Sequence, residues 1–83
     1  FANLSVYPNP VQNELNIEIT SRMSGNFDLR FTDVSGRTIR MEQIEINSGT
    51  NVQTFDVSDI EKGYYLIQLC GDDHIASTEM LKM

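Results

Sequence analysis

The sequence predicts an all-β domain of two packed antiparallel sheets, and three observations lead there. Apolar residues recur at every second position along most of the chain, and stripes with the 3.6-residue helical period are scarce. Turn-forming residues interrupt the alternation roughly every eight to twelve residues, the spacing of a sandwich of about seven short strands.

Leu4, Val6 and Tyr7 begin the first strand, and Pro8-Asn9-Pro10 ends it, because proline lacks an N–H and restricts the residue before it. Residues 14–20 alternate without a break, with Leu15, Ile17 and Ile19 on one face and Asn16, Glu18 and Thr20 on the other. After the turn Ser24-Gly25-Asn26, Phe27, Leu29 and Phe31 alternate with polar residues in a third strand. Asp33-Val34-Ser35-Gly36 then punctuates the chain. Asp hydrogen-bonds the backbone two residues on and Gly tolerates positive φ, so residues 27–33 and 37–46 are expected to pair as a hairpin. Ile39 and Met41 share one parity and Ile44 and Ile46 the other, which predicts a bulge or bend near Glu42-Gln43.

Asn47-Ser48-Gly49 closes the fourth strand, and residues 52–57 form a fifth with Phe55 and Val57 on its apolar side. Residues 58–62 allow at most one helical turn. Gly63 opens the most apolar strand, residues 64–70, in which Tyr65, Ile67 and Leu69 oppose Tyr64, Leu66 and Cys70; two apolar faces predict a central position. Residues 74–82 make the last strand, with Ile75 and Leu81 or Ala76 and Met80 as the inner set.

Composition bounds the function. At 83 residues the chain is one domain that buries only roughly 60% of its unfolded surface, enough for one modest core and not for a deep catalytic cavity. A formal charge of -6 disfavours nucleic acid and anionic membrane surfaces. Cys70 is the only cysteine, so neither an internal disulfide nor a Cys-rich zinc site is available. The longest apolar run, residues 64–67, is far short of the ~20 needed to span a bilayer as a helix. The chain begins at Phe1 with no Met or leader, which is the expectation for a piece of a longer precursor.

Chemistry-bearing constellations are sparse. His74 is the only imidazole and sits beside Asp72 and Asp73 in a turn; a His–Asp pair serving Cys70 or a Ser competes with the plainer reading of a solvated turn, and no nucleophile elbow accompanies it. Asp33, Asp56, Asp59, Asp72 and Asp73 lie at strand ends, where turn formation explains them, and no Asp-x-Asp-x-Asp-Gly calcium loop is present. No phosphate loop occurs, and Asn3-Leu4-Ser5 matches the glycosylation triplet in isolation. No catalytic residue, metal ligand or cofactor is therefore assigned. A glycan platform needs exposed aromatics; Phe27, Phe31, Phe55 and Tyr65 take inward parity, leaving Tyr64, Tyr7 and Phe1.

Four segments in order, Val6-Tyr7-Pro8-Asn9-Pro10, Leu15-Asn16-Ile17-Glu18-Ile19, Asp33-Val34-Ser35-Gly36-Arg37 and Gly63-Tyr64-Tyr65-Leu66-Ile67, together resemble the type IX secretion system C-terminal sorting domain (type A) of Bacteroidota. The resemblance spans essentially the whole chain. It implies an immunoglobulin-like β-sandwich of about seven antiparallel strands at the C-terminal end of a secreted precursor, carrying a covalently linked N-terminal cargo. It further implies transit through the periplasm, recognition by the type IX translocon and its shuttle proteins, and removal by a cell-surface sortase, with no nucleic-acid partner, no membrane insertion and no catalysis by the domain.

Carried onto this sequence, the recognised residues are Tyr7, Pro8, Asn9, Pro10, Gly36, Gly63, Tyr65, Leu81 and Lys82. Each also has a plain structural reading: Pro8 and Pro10 end a strand, where the functional reading has them hold the cargo junction extended for the sortase; Gly36 and Gly63 meet backbone requirements, Tyr65 is core, and Lys82 is a solvated strand end. The family's last strand is apolar, ends in basic residues and is presented to the machinery as an edge. Its frequent Lys-x-x-Lys ending departs here to Glu79-Met80-Leu81-Lys82-Met83, with Glu79 at the earlier Lys position. The alternative function is an adhesive or carbohydrate-binding β-sandwich of an extracellular enzyme.

Overall fold

A computed structural model describes residues 2–83. Seven strands, β1 (Ala2–Tyr7), β2 (Glu14–Ser21), β3 (Gly25–Asp33), β4 (Thr38–Ile46), β5 (Gly49–Asp56), β6 (Gly63–Cys70) and β7 (Ile75–Lys82), account for the regular structure, and no helix occurs among the described residues. They form a three-stranded sheet, β1-β2-β5, and a four-stranded sheet, β4-β3-β6-β7, with every strand pair antiparallel. This is the immunoglobulin-like β-sandwich. In the constant-type arrangement the fourth strand joins the first sheet; here β4 lies beside β3 in the second.

The alternation read from the sequence becomes the core. Leu15, Ile17 and Ile19 of β2 face Phe27, Leu29 and Phe31 of β3 and Tyr65, Ile67 and Leu69 of β6, all buried. Burying each such side chain contributes about 1.5–3 kcal/mol, and these interior strands carry most of it. The edge strands β1 and β5 bury less: Leu4, Val6 and Phe55 are only half-buried against the core.

β6 is central, between β3 and β7, as its two apolar faces predict. Its outer face is nevertheless open, with Tyr64 63% exposed, because a two-layer sandwich has no third layer to cover it. In β7 the inner set is Ala76 and Met80, while Ile75 faces solvent. The phase break in β4 resolves differently from the expectation near Glu42-Gln43. The register shifts between Phe31 and Thr32, which pair with Arg40 and Thr38, so Ile39 is the extra residue. The bulge turns Ile39 inward on one side and leaves Arg40, Glu42, Ile44 and Ile46 in one parity, with Met41 pointing out.

Antiparallel pairing gathers the chain's turns at two poles. One pole collects the ends of β1, β3, β5 and β7 and the starts of β2, β4 and β6; the register pairs Tyr7 with Asn16, Glu14 with Asp56 and Gly63 with Lys82. The other pole holds the turns around Met23, Ser48 and Asp72.

Candidate functional site

All nine residues singled out from the sequence lie at or beside the first pole, although they come from four separate stretches of chain. The pole is built in three parts. The first is the turn after β3. Asp33 Oδ1 accepts from Ser35 N (3.0 Å), Ser35 Oγ (2.6 Å) and Arg37 N (3.0 Å), and Oδ2 meets Arg37 Nε at 3.2 Å. Gly36 supplies the positive φ of +91° that lets this turn close, with its N–H donating to Asp33 O. The Ser35 hydroxyl first, then the Arg37 N–H, hold the Asp33 carboxyl below its ordinary value of 3.8. The Asp-x-Ser-Gly-Arg motif is thus one self-satisfying turn.

The second part is the corner entering β6. Tyr65 is buried with its ring inward, and its hydroxyl donates to Glu61 O at 2.6 Å. This is the geometry of a tyrosine corner, in which a strand-start Tyr pins the loop a few residues upstream. Burial, aided by the Glu61 and Asp33 carboxylates, raises the phenol above its ordinary 10.0, so it stays a neutral donor. Gly63, at φ +148°, lies where a side chain's first carbon would come 4.0 Å from the Tyr65 ring. Gly-x-Tyr is therefore a corner, with Tyr65 both core and latch.

The third part is the join between the Tyr-Pro-Asn-Pro segment and β7. Tyr7 ends β1, 44% exposed, and its carbonyl accepts from Asn16 Nδ2 at 3.3 Å. The peptide bonds preceding Pro8 and Pro10 are both cis, and both rings are exposed. Asn9 Oδ1 accepts from Leu81 N (2.9 Å) and Asn9 Nδ2 donates to Glu79 O (3.4 Å). Val11 N donates to Leu81 O (2.9 Å) and Met83 N donates to Val11 O (2.8 Å), a short parallel bridge. The final strand is not a free edge along its last residues.

Lys82 is likewise not a solvated strand end. It shares the inward parity of Met80, is only 6% exposed, and its Nζ donates to Met83 O at 3.1 Å. Its aliphatic stem packs where a core residue would stand while the ammonium finds an oxygen near the rim. Leu81 is half-buried on the outer face opposite Tyr64, and its backbone bonds to Asn9 and Val11.

Two residues at this pole escaped the sequence reading. Val11 is fully buried, a core residue outside any strand, and the only sequence signal is one valine between Pro10 and Gln12-Asn13. Arg40 turns inward through the bulge, its guanidinium 5.7 Å from the Phe31 ring centroid and 5.5 Å from that of Phe55, with NH1 donating to Asp56 O and Nε to Glu42 Oε2. It joins the open sides of the two sheets where β4 and β5 have no strand partner. Between the 33–37 turn and the 57–63 loop lies an open cleft of about 800 Å³, lined by Asp33, Asp56, Asp59 and Glu61 among Arg37, Arg40 and Lys62. Mixed charge of this kind suits a polar protein contact better than an apolar ligand.

His74, Asp72 and Asp73 fall at the opposite pole, and the glycan-platform candidate Phe1 lies outside the described residues. Among the described residues, no three His, Cys, Asp or Glu side chains converge as metal ligands. A family model described as Secretion system C-terminal sorting domain matches residues 5–82. The chain belongs to that family. The match spans all three parts of the pole, and the sorting domain is a signal for type IX secretion, to the cell surface or the extracellular space. Comparisons with curated proteins and with solved structures gave no match.

Proposed function

We propose that this sorting domain is a folded address label read at its motif pole by the type IX translocon and its shuttle proteins. It follows an N-terminal cargo through the periplasm and is removed at the cell surface by a sortase. The domain is substrate throughout and does no chemistry. The observation that carries the reading is the convergence of Tyr7, Pro8, Asn9, Pro10, Gly36, Gly63, Tyr65, Leu81 and Lys82 on one pole. Most of them serve the fold as well, so the machinery reads a shape that only the correctly folded domain has.

The test appends the chain to an exported reporter in a bacterium that has the secretion system. Removing residues 79–83 is expected to leave the reporter in the periplasm. Substituting exposed residues of the opposite pole, such as Asp72→Asn with Asp73→Asn, is expected to leave delivery intact. Equal delivery of all three fusions sinks the reading. The glycan-binding alternative leans on exposed Tyr64 and Tyr7, and a glycan array with no signal lost on Tyr64→Ala or Tyr7→Ala removes its support.

A further inference from the structure

A sandwich of three strands over four has four sheet edges, and here three of them are guarded. Asn9 and Val11 occupy the end of β7, and β1 lies against β7 across the layers. The edge of β4 carries the Ile39 bulge and the charged side chains Arg40, Glu42 and Glu45, devices that discourage strand pairing. β5 has none of these. Residues 49–55 include no charge and no proline, and the register with β2 runs unbroken from Gly49 to Asp56.

One bond fixes which groups of β5 are open. Val57 N donates to Asn13 O, so along the same register the odd residues of β5 bond β2, and Thr50, Val52, Thr54 and Asp56 turn their N–H and C=O outward. The Asp56 carbonyl has already found a donor there, the Arg40 guanidinium reaching across from β4 at 2.7 Å. With β1 set against β7, the smaller sheet leaves its missing fourth place beside β5, over the inward face of β4. We infer that this place takes one extended peptide segment of a partner protein, rich in lysine or arginine, added to β5 as a fourth strand.

The backbone supplies affinity and the neighbouring side chains select the occupant. Thr50, Val52 and Thr54 each offer an N–H and a C=O to the added strand. On the outer face its side chains stand beside Val52, with Glu18 next on β2; on the inner face they meet Glu42. These carboxylates are within reach of a long basic side chain from either face, whereas Arg40 is held by Asp56, Glu42 and two aromatic rings. An acidic segment would meet like charge on a chain of net -6. A second copy of β5 does not fit, because pairing two β5 edges brings both β4 strands into the same space beneath them. The place lies between the poles and stands whether or not the domain sorts.

The experiment titrates the 83-residue chain with the end-capped peptide Lys-Thr-Val-Thr-Val-Thr-Lys and reads amide exchange residue by residue. At saturation the Thr50, Val52 and Thr54 N–H groups are expected to exchange at least about tenfold more slowly, while those of Asn51, Gln53 and Leu81, already bonded, stay unchanged. The same peptide with Glu in place of Lys is expected to protect none of them. Val52→Pro removes the central outward donor without touching the β2 ladder and is expected to abolish protection at Thr50 and Thr54. Glu18→Gln with Glu42→Gln leaves the backbone edge intact and guards against a folding defect in the proline variant; it is expected to weaken binding of the lysine peptide about tenfold. Protection of odd and even residues alike, protection of neither, equal protection by the two peptides, or undiminished binding to either variant each overturns the assignment.

Discussion

The two poles of the sandwich are closed by different means. At the motif pole two local closures, Asp33 with Ser35 and Arg37 and Tyr65 with Glu61, stand beside bonds that join parts of the chain far apart in sequence: Asn9 to Leu81, Val11 to Leu81 and Met83, Val57 to Asn13, Arg40 to Asp56. At the opposite pole they are mostly local, with Ser21 bonded to Met23, Asn51 to Asn47 and Gly71 to His74; Ser48 to Ser24 joins two adjacent turns. Local turns can be rebuilt from other turn-forming residues, since each is satisfied within itself. Long-range bonds from exposed side chains depend on particular residues at particular places. The pole that carries the family motifs is the one where identity matters.

The largest effect is expected at Val11. Val11→Ala removes two buried methyl groups and loosens the parallel bridge, and is expected to cost about 2 kcal/mol, read as a lower urea midpoint with unchanged slope. A cost under about 0.5 kcal/mol, the range of an ordinary surface change, means Val11 does not anchor the 8–11 segment to the core.

The opposite pole has one exception to its tolerance. A Cβ added to Gly71 would stand 2.6 Å and 2.9 Å from two atoms of the Phe27 ring, so Gly71→Ala must displace a buried ring, at about 1–2 kcal/mol. Gly36→Ala, at the motif pole, meets nothing within 4 Å and is disfavoured through φ alone, by about 1 kcal/mol. If Gly71→Ala proves the milder of the two, packing at the far pole is looser than the contact distances state.

Much of this was legible in the residues, and the misses share a cause. Seven strands, their inward parities, the Asp33 turn and the central place of β6 follow from period-two alternation and turn chemistry, which are local properties. Val11, Arg40 and Lys82 do not, because each owes its position to a partner distant in sequence. Val11 has no periodic neighbours to mark it as core. Arg40 faces inward only because Ile39 forms a bulge, and Lys82 takes the inward parity of Met80 at a strand end that Val11 bridges. Asn9 stood in a recognised motif, yet its bonds to residues 79 and 81 could not be read from spacing.

A smaller effect probes the corner. Tyr65→Phe keeps the ring and leaves Glu61 C=O without its donor, at an expected cost of about 1 kcal/mol. The same substitution removes a high-pH sensitivity: with the folded phenol raised above 10.0, its contribution is intact below that pH and is lost as pH rises through the folded value. An unchanged urea midpoint in Tyr65→Phe would mean that Gly-x-Tyr does not hold the corner.

The smallest expected effect lies in acid. Asp33 and Asp56, both at the motif pole, are held below 3.8, Asp33 chiefly by the Ser35 hydroxyl and Asp56 chiefly by the Ser58 side chain. A carboxylate whose folded value is depressed stabilises the fold fully above its unfolded value, and that contribution is lost as pH falls through the folded value. Asp56 is exposed and Asp33 half-buried at the rim of an open cleft, so solvent screens the contribution and the change is small. Wild type should therefore lose urea midpoint as pH falls below about 4, and Asp33→Asn with Asp56→Asn should show a flatter profile there because the substituted side chains do not titrate. If the double variant falls as steeply as wild type, the acid sensitivity arises elsewhere, and the motif pole is not where protonation first loosens the domain.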